Sequence, residues 1–337
     1  MTASTEQAGA ARATARGRVP DFFIVGHAKS GTTALYEMLR RHPQIFMPEN
    51  KEPQFFARNP QPPRSPDGRP VFGQTGRREE TLADYMSLYA PAAPGQRAGD
   101  ASTFYLWSPE APARIAEAQP GARIVAILRE PASFLDSLHR QMLQNHTEDE
   151  PDLLRALALE PQRRNGERIP QHAFWPAALL YSERARYVEQ LRRYHAVFPR
   201  EQVLVLIYED FRADNEATLR RVLRFLEVDD SLPLVPVEAN PSVDVRSLRL
   251  RGLVRTVYAG HGRVGGAARA AIKALTTSGV RRRVVYPLRH RLLFRPAQKA
   301  DQKVLAELRR RLAPEVTALS EYLDRDLVAL WGYDRLT

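Results

Sequence analysis

The chain of 337 residues contains no cysteine. Disulfide staples, thiolate nucleophiles and cysteine metal sites are thereby excluded, and a cytoplasmic location is expected. No apolar run is long enough to span a bilayer. The first eighteen residues are mostly Ala, Thr, Gly and Arg, without the apolar stretch of a secretory signal, so 1–19 reads as a flexible tail. The eight histidines show no ligand spacing, and neither a His-Glu-x-x-His pair nor a carboxylate cluster occurs, so no metal is expected. Acidic residues are missing altogether from Val245 to Lys299, where fourteen Arg and Lys sit. That segment supplies the whole of the +11 net charge and leaves the remainder slightly acidic. No aromatic stacking set or recognition helix accompanies the charge, which argues against nucleic acid as a partner. Three readings of 245–300 stay open: an acceptor-side lid or surface contact, which we favour, a peripheral contact with an anionic membrane face, and a solvated cap. Lysine is scarce beside arginine, the bias expected of a GC-rich bacterial source.

What is present is concentrated near the start. Phe22-Phe23-Ile24-Val25 is a short apolar run, Gly26-His27-Ala28-Lys29-Ser30-Gly31-Thr32-Thr33 is a loop, and Ala34 to Leu39 has helical periodicity. Strand, glycine-bearing loop and helix in that order form an anion site, because the helix start offers unpaired N–H groups and a positive dipole end. Gly26 and Gly31 have the spacing of a nucleoside-triphosphate loop, but Thr32 stands where that loop carries its lysine. Lys29 lies three residues earlier and would meet the end of a shorter, monophosphate-like group. A second apolar run, Arg123 to Leu128, ends in Arg129-Glu130-Pro131, with Ser137 eight residues beyond Arg129. Parallel sheets bind ligands at the carboxyl ends of their strands, and a guanidinium there suits a phosphate.

These two motifs together resemble the sulfotransferases that use 3′-phosphoadenosine 5′-phosphosulfate (PAPS). Lys29, Ser30, Gly31, Thr32 and Thr33 resemble the 5′-phosphosulfate loop, with Ala28 where the family has proline. Arg129 and Ser137 resemble the pair that grips the 3′-phosphate. Asn50-Lys51-Glu52-Pro53-Gln54-Phe55-Phe56 is similar to the heparan sulfate branch, in which the glutamate is the general base. The resemblance then implies that Glu52 deprotonates the acceptor hydroxyl, that Lys29 offsets charge on the leaving oxygen, and that Lys51 orients the sulfonate. The Thr-His-x-Pro context of the cytosolic aryl branch is missing; Gly99-Asp100-Ala101 occupies the comparable place. Asp100 is the second candidate, as base, substrate ligand or lysine partner, and His27 and His146 rank below it.

The implied fold is α/β, a P-loop-like three-layer arrangement with a central parallel sheet flanked by helices, in a single domain over 20–337. Val203 to Tyr208 reads as another buried strand, and Leu219, Val222, Leu223 and Leu226 as one helical face. Glu183 to Tyr194 reads as one helix, and Pro314 is expected to open a new helix after one carrying Leu305, Leu308 and Leu312. The implied activity is direct transfer of a sulfonate to a hydroxyl of a carbohydrate, glycolipid or secondary metabolite. A P-loop kinase and a non-catalytic PAPS- or glycan-binding module are the alternatives.

Overall fold

The structure, a computed structural model, describes residues 17–57, 81–171, 173, 175–233, 243–245, 294–296 and 300–336. The chain divides into two compact units, Met1–Leu138 with Leu180–Ala239 and Lys303–Thr337, and His139–Leu179 with Asn240–Gln302.

The first unit is built on a five-stranded sheet of β1 (Phe22–Ile24), β2 (Ile45–Phe46), β3 (Arg97–Ala101), β4 (Arg123–Leu128) and β5 (Val203–Ile207). The spatial order is β2-β3-β1-β4-β5, and every neighbouring pair is parallel. All of β1, and β4 from Ile124 to Leu128, are 0% exposed, as expected of strands covered on both faces. The helices of this unit are α1 (Thr32–Arg40), α2 (Leu82–Ser87), α3 (Ala111–Ala118) and α4 (Pro131–Asn145, entering the second unit). Later in the chain come α7 (Tyr181–Arg184), α8 (Tyr187–His195), α9 (Tyr208–Ala213), α10 (Asn215–Phe225), α11 (Gln302–Leu323) and α12 (Leu327–Leu330). Alternate strand residues Phe22, Ile24, Val125, Ile127, Leu204 and Leu206 share a core with Leu35 and Leu39 of α1 and Leu219, Val222 and Leu223 of α10. Each such side chain contributes about 1.5–3 kcal/mol of burial. On the opposite face Phe23 packs edge-on against Phe56, with ring centroids 5.7 Å apart, and beside Tyr105. The sheet is therefore a central layer.

Two helix expectations are corrected. Helix α11 runs through Pro314 without stopping. Its buried stripe of Leu305, Leu308, Val316 and Leu319 continues across the proline, so packing outweighs the roughly 3 kcal/mol cost of the ring. The stretch 183–194 is broken between α7 and α8, with Arg186 at φ −79° and ψ 66°. The Gln190 amide donates to the carbonyls of Glu183 (2.9 Å) and Arg184 (3.2 Å), giving the freed helix end its partners.

The second unit contains α5 (Leu153–Ala158), capped by the Asp152 carboxylate at 2.9 Å from the Arg155 N–H, and α6 (Glu160–Arg164). Arg163 grips Glu148 with both terminal nitrogens, at 2.9 and 2.7 Å, and both side chains are fully buried. Strands β6 (Val243–Val245) and β7 (Phe294–Pro296) pair antiparallel, Val245 opposite Phe294. Most of the basic segment 245–300 lies outside the described residues, and its three readings lie there with it.

Candidate active site

The strand order determines where a ligand can enter. From β1 the chain passes to the β2-β3 side of the sheet, whereas after β4 it continues to β5 on the other side. The carboxyl ends of β1 and β4 therefore form the topological switch point, where open parallel sheets place their ligand crevice. The loop after β1 and the turn after β4 both reach it. Gly26 is required by close packing, since a Cβ there would lie 2.2 Å from Ile127 Cγ2. Gly31 takes φ 89°, the left-handed conformation that lets the loop turn into α1. Lys29 adopts φ 68°, a strained choice for a side-chain-bearing residue. Ser30 is 0% exposed, and its Oγ has no partner among the described residues. A buried, unanswered hydroxyl beside a helix N-terminus fits a phosphate. Thr32 is buried and Thr33 exposed.

Arg129 directs its Nη1 to the Lys29 carbonyl at 2.8 Å and lies over the Tyr208 ring, 5.1 Å from its centroid. Burial, followed by the charge of Arg129, holds the Lys29 ammonium below its ordinary pKa. Two cations set side by side favour an anion between them. Ser137 lies half-buried on α4, past its first turn.

The Arg129 turn is braced from far along the chain. The Tyr187 hydroxyl donates to the Arg129 carbonyl at 3.0 Å. Glu130 is buried; it accepts from the N–H groups of Ala132 (3.1 Å) and Ser133 (2.7 Å) and from the Tyr333 hydroxyl (2.6 Å). Trp331 Nε1 donates to Glu209 at 2.9 Å, and Arg325 holds Asp210 with two bonds of 2.6 and 2.7 Å.

The loop after β2 carries a carboxylate to the loop after β1. Lys51 Nζ donates both to Thr33 Oγ1 and to Glu52 Oε1, each at 3.0 Å. The second carboxylate oxygen of Glu52 accepts from Thr103 Oγ1 at 3.1 Å and from the Gln54 amide at 3.4 Å. Glu52 (φ 65°) and Gln54 (φ 54°) are both left-handed, so the turn holds strain that its neighbours must sustain. The Glu52 side chain is 32% exposed, open on one side and held on the other. Its placement sets a carboxylate one lysine away from Thr33 at the start of α1.

Asp100 is placed differently from an acceptor ligand. It is 0% exposed and accepts from Tyr85 (2.7 Å), Tyr105 (2.9 Å) and Ser102 (2.7 Å), with no lysine among these partners. Ser102 in turn accepts from the Gln54 N–H at 3.0 Å, tying the buried carboxylate to the Glu52 turn. Burial raises the Asp100 pKa to about 6; the three hydroxyl bonds oppose that rise and the Glu52 charge adds to it. A carboxyl raised in the fold favours folding below its unfolded pKa, and that contribution is lost as pH rises through about 6. Between about pH 4 and 7 the parent chain is therefore expected to lose about 1–3 kcal/mol relative to Asp100→Asn, read from urea unfolding at each pH. Parallel stability curves would show that Asp100 does not titrate in this range.

His27 is fully buried, stacked on Phe134 at 4.8 Å and bonded through Nε2 to the Gln190 side chain at 2.9 Å. Burial, followed by the charge of Arg184, pushes its pKa well below the ordinary value. It packs the loop from behind. Thr103, Gln54, Glu130 and Tyr333 were not singled out from the sequence. Among the described residues no cluster of three His, Asp or Glu is arranged to hold a metal, and no helix is long and apolar enough to cross a membrane.

A model of the sulfotransferase family matches residues 20–231. Heparan sulfate glucosamine 3-O-sulfotransferase 6 of Homo sapiens is 30% identical over 211 residues, 63% of this chain and 53% of that protein. Heparan sulfate glucosamine 3-O-sulfotransferase 3B1 of Mus musculus is 27% identical over 209 residues, 62% of this chain and 46% of that protein. The chain thus spans about half the length of the curated relatives it matches. A solved sulfotransferase from Alicyclobacillus acidocaldarius is 27% identical with a TM-score of 0.55, covering 78% of this chain and 99% of the other. The matched region takes in the whole five-stranded sheet, the loop between β1 and α1, the Arg129 turn and the Glu52 loop, and on that span the chain belongs to the sulfotransferase family.

Proposed function

We propose that the protein transfers a sulfonate from PAPS to a hydroxyl of a carbohydrate or glycolipid acceptor, with a secondary metabolite as the smaller alternative. The observation that carries this reading is Lys51 Nζ, shared between Thr33 of the phosphate loop and the Glu52 carboxylate. It couples an anion site to a base. PAPS supplies the activated sulfonate on its phosphosulfate linkage. Ser30, Gly31, Thr32 and Thr33 hold the 5′ end through the helix start and their hydroxyls. Arg129, with Ser137 on α4, takes the 3′-phosphate, the group that separates PAPS from ATP. Lys29 offsets charge growing on the leaving phosphate oxygen, and Glu52 removes the proton of the attacking hydroxyl. The names of the curated relatives, heparan sulfate sulfotransferases, favour a sugar acceptor. The family match turns the choice away from a P-loop kinase, which would need the lysine that Thr32 replaces.

Radiolabelled PAPS should be offered with heparan-derived oligosaccharides, a glycolipid and a small phenol. Label is expected to move to at least one of them, with ATP and magnesium giving no turnover. Absence of transfer, with no heat of binding for 3′-phosphoadenosine 5′-phosphate (PAP), would reject the reading.

A further inference from the structure

We infer that Thr103 is a positioning residue for the base, the donor that aims the Glu52 carboxylate; this rests on the proposed role of Glu52. The carboxylate is held from two sides. Lys51 takes Oε1 from the side of the phosphate loop, and Thr103 takes Oε2. Lys51 is a long, flexible chain whose ammonium is shared with Thr33. Thr103 is a short β-branched side chain, 3% exposed, and its hydroxyl bonds Glu52 at 3.1 Å. It therefore imposes a direction that the lysine cannot.

The segment bearing it is fixed at almost every residue. Ser102 is bonded to Asp100 and to the Gln54 N–H. The Tyr105 carbonyl accepts from the Tyr194 hydroxyl at 2.8 Å. Phe104 and Trp107 receive the guanidinium of Arg184, 5.0 and 4.9 Å from their centroids. Arg184 is 2% exposed and makes no ion pair with a carboxylate among the described residues. Burial lowers its pKa to about 10, and the two ring faces lie against the guanidinium. A rigid platform of this kind compensates for the left-handed, strained backbone of Glu52. It keeps the carboxylate in the narrow range of geometry that proton transfer needs.

Thr103→Val keeps shape and burial and deletes only the donor. With the acceptor that turns over fastest in the panel, kcat is expected to fall about tenfold, while acceptor KM and the Kd of PAP stay within about twofold. Thr103→Ser, which restores a hydroxyl, is expected to recover most of kcat. Unchanged kcat in Thr103→Val, or a loss that serine does not recover, overturns the inference. Glu52→Gln run in parallel separates the levels. If it loses turnover while Thr103→Val does not, the positioning role alone fails; if it keeps turnover, the base assignment fails and the positioning role with it.

Discussion

Arg129→Ala is expected to weaken PAP binding by roughly 30- to 150-fold, while AMP loses no more than about threefold. The magnitude follows from removing a charge-assisted contact to a phosphate, about 2–3 kcal/mol. AMP serves as the control because Arg129 has a second task. Its Nη1 holds the Lys29 carbonyl, so the substitution also loosens the phosphate loop, and that loss falls on both nucleotides. Only the excess loss on PAP reports the 3′-phosphate. Isothermal titration of both ligands at one fixed salt concentration gives the comparison. Equal losses would take Arg129 out of the 3′ site and leave it as a brace for Lys29.

Glu52→Gln should lower kcat by about 10²–10⁴ with PAP affinity unchanged. Glutamine keeps the shape of the side chain and an oxygen that can accept from Thr103, so the strained turn is preserved while basicity is removed. The neutral amide no longer pairs with Lys51, whose ammonium keeps Thr33. Donor affinity therefore checks that the phosphate loop is intact. Turnover within about twofold of the parent would exclude Glu52 as the base and direct attention to an acceptor group or to water.

The parts of this molecule that follow local rules were legible in the sequence. The apolar runs Phe22 to Val25, Arg123 to Leu128 and Val203 to Tyr208 each contain a parallel strand of the sheet, with β1 ending at Ile24 and β5 at Ile207, after which Tyr208 opens α9. Leu219, Val222, Leu223 and Leu226 recur with helical spacing and are all buried. Lys29 and Arg129 sit in motifs whose context, strand before and helix after, is itself readable. Their meeting at one crevice depends on strand order, which no local pattern encodes. At Pro314 a strong local rule, that proline starts or stops a helix, is overridden by tertiary packing. Asp100 stands out in the sequence because Gly99-Asp100-Ala101 occupies the place comparable to the Thr-His-x-Pro context of the aryl branch. What decides its role is a set of tyrosines at 85 and 105 and a serine at 102, visible only when the chain has folded. Thr103 carries no signal at all, since one hydroxyl among several in a loop has no periodicity and no partner in sequence.

The bond between Tyr333 and Glu130 closes a span of 203 residues. During synthesis on the ribosome, every strand of the central sheet has emerged well before Trp331 and Tyr333 are added. Until then the carboxylates of Glu130 and Glu209 lack the aromatic donors that hold them beside Arg129. The strands of the sheet can thus pair while the turn after β4 still lacks these donors, so a stop codon shortly before Trp331 is expected to leave the sheet able to form but the Arg129 turn, the proposed nucleotide grip, unbraced.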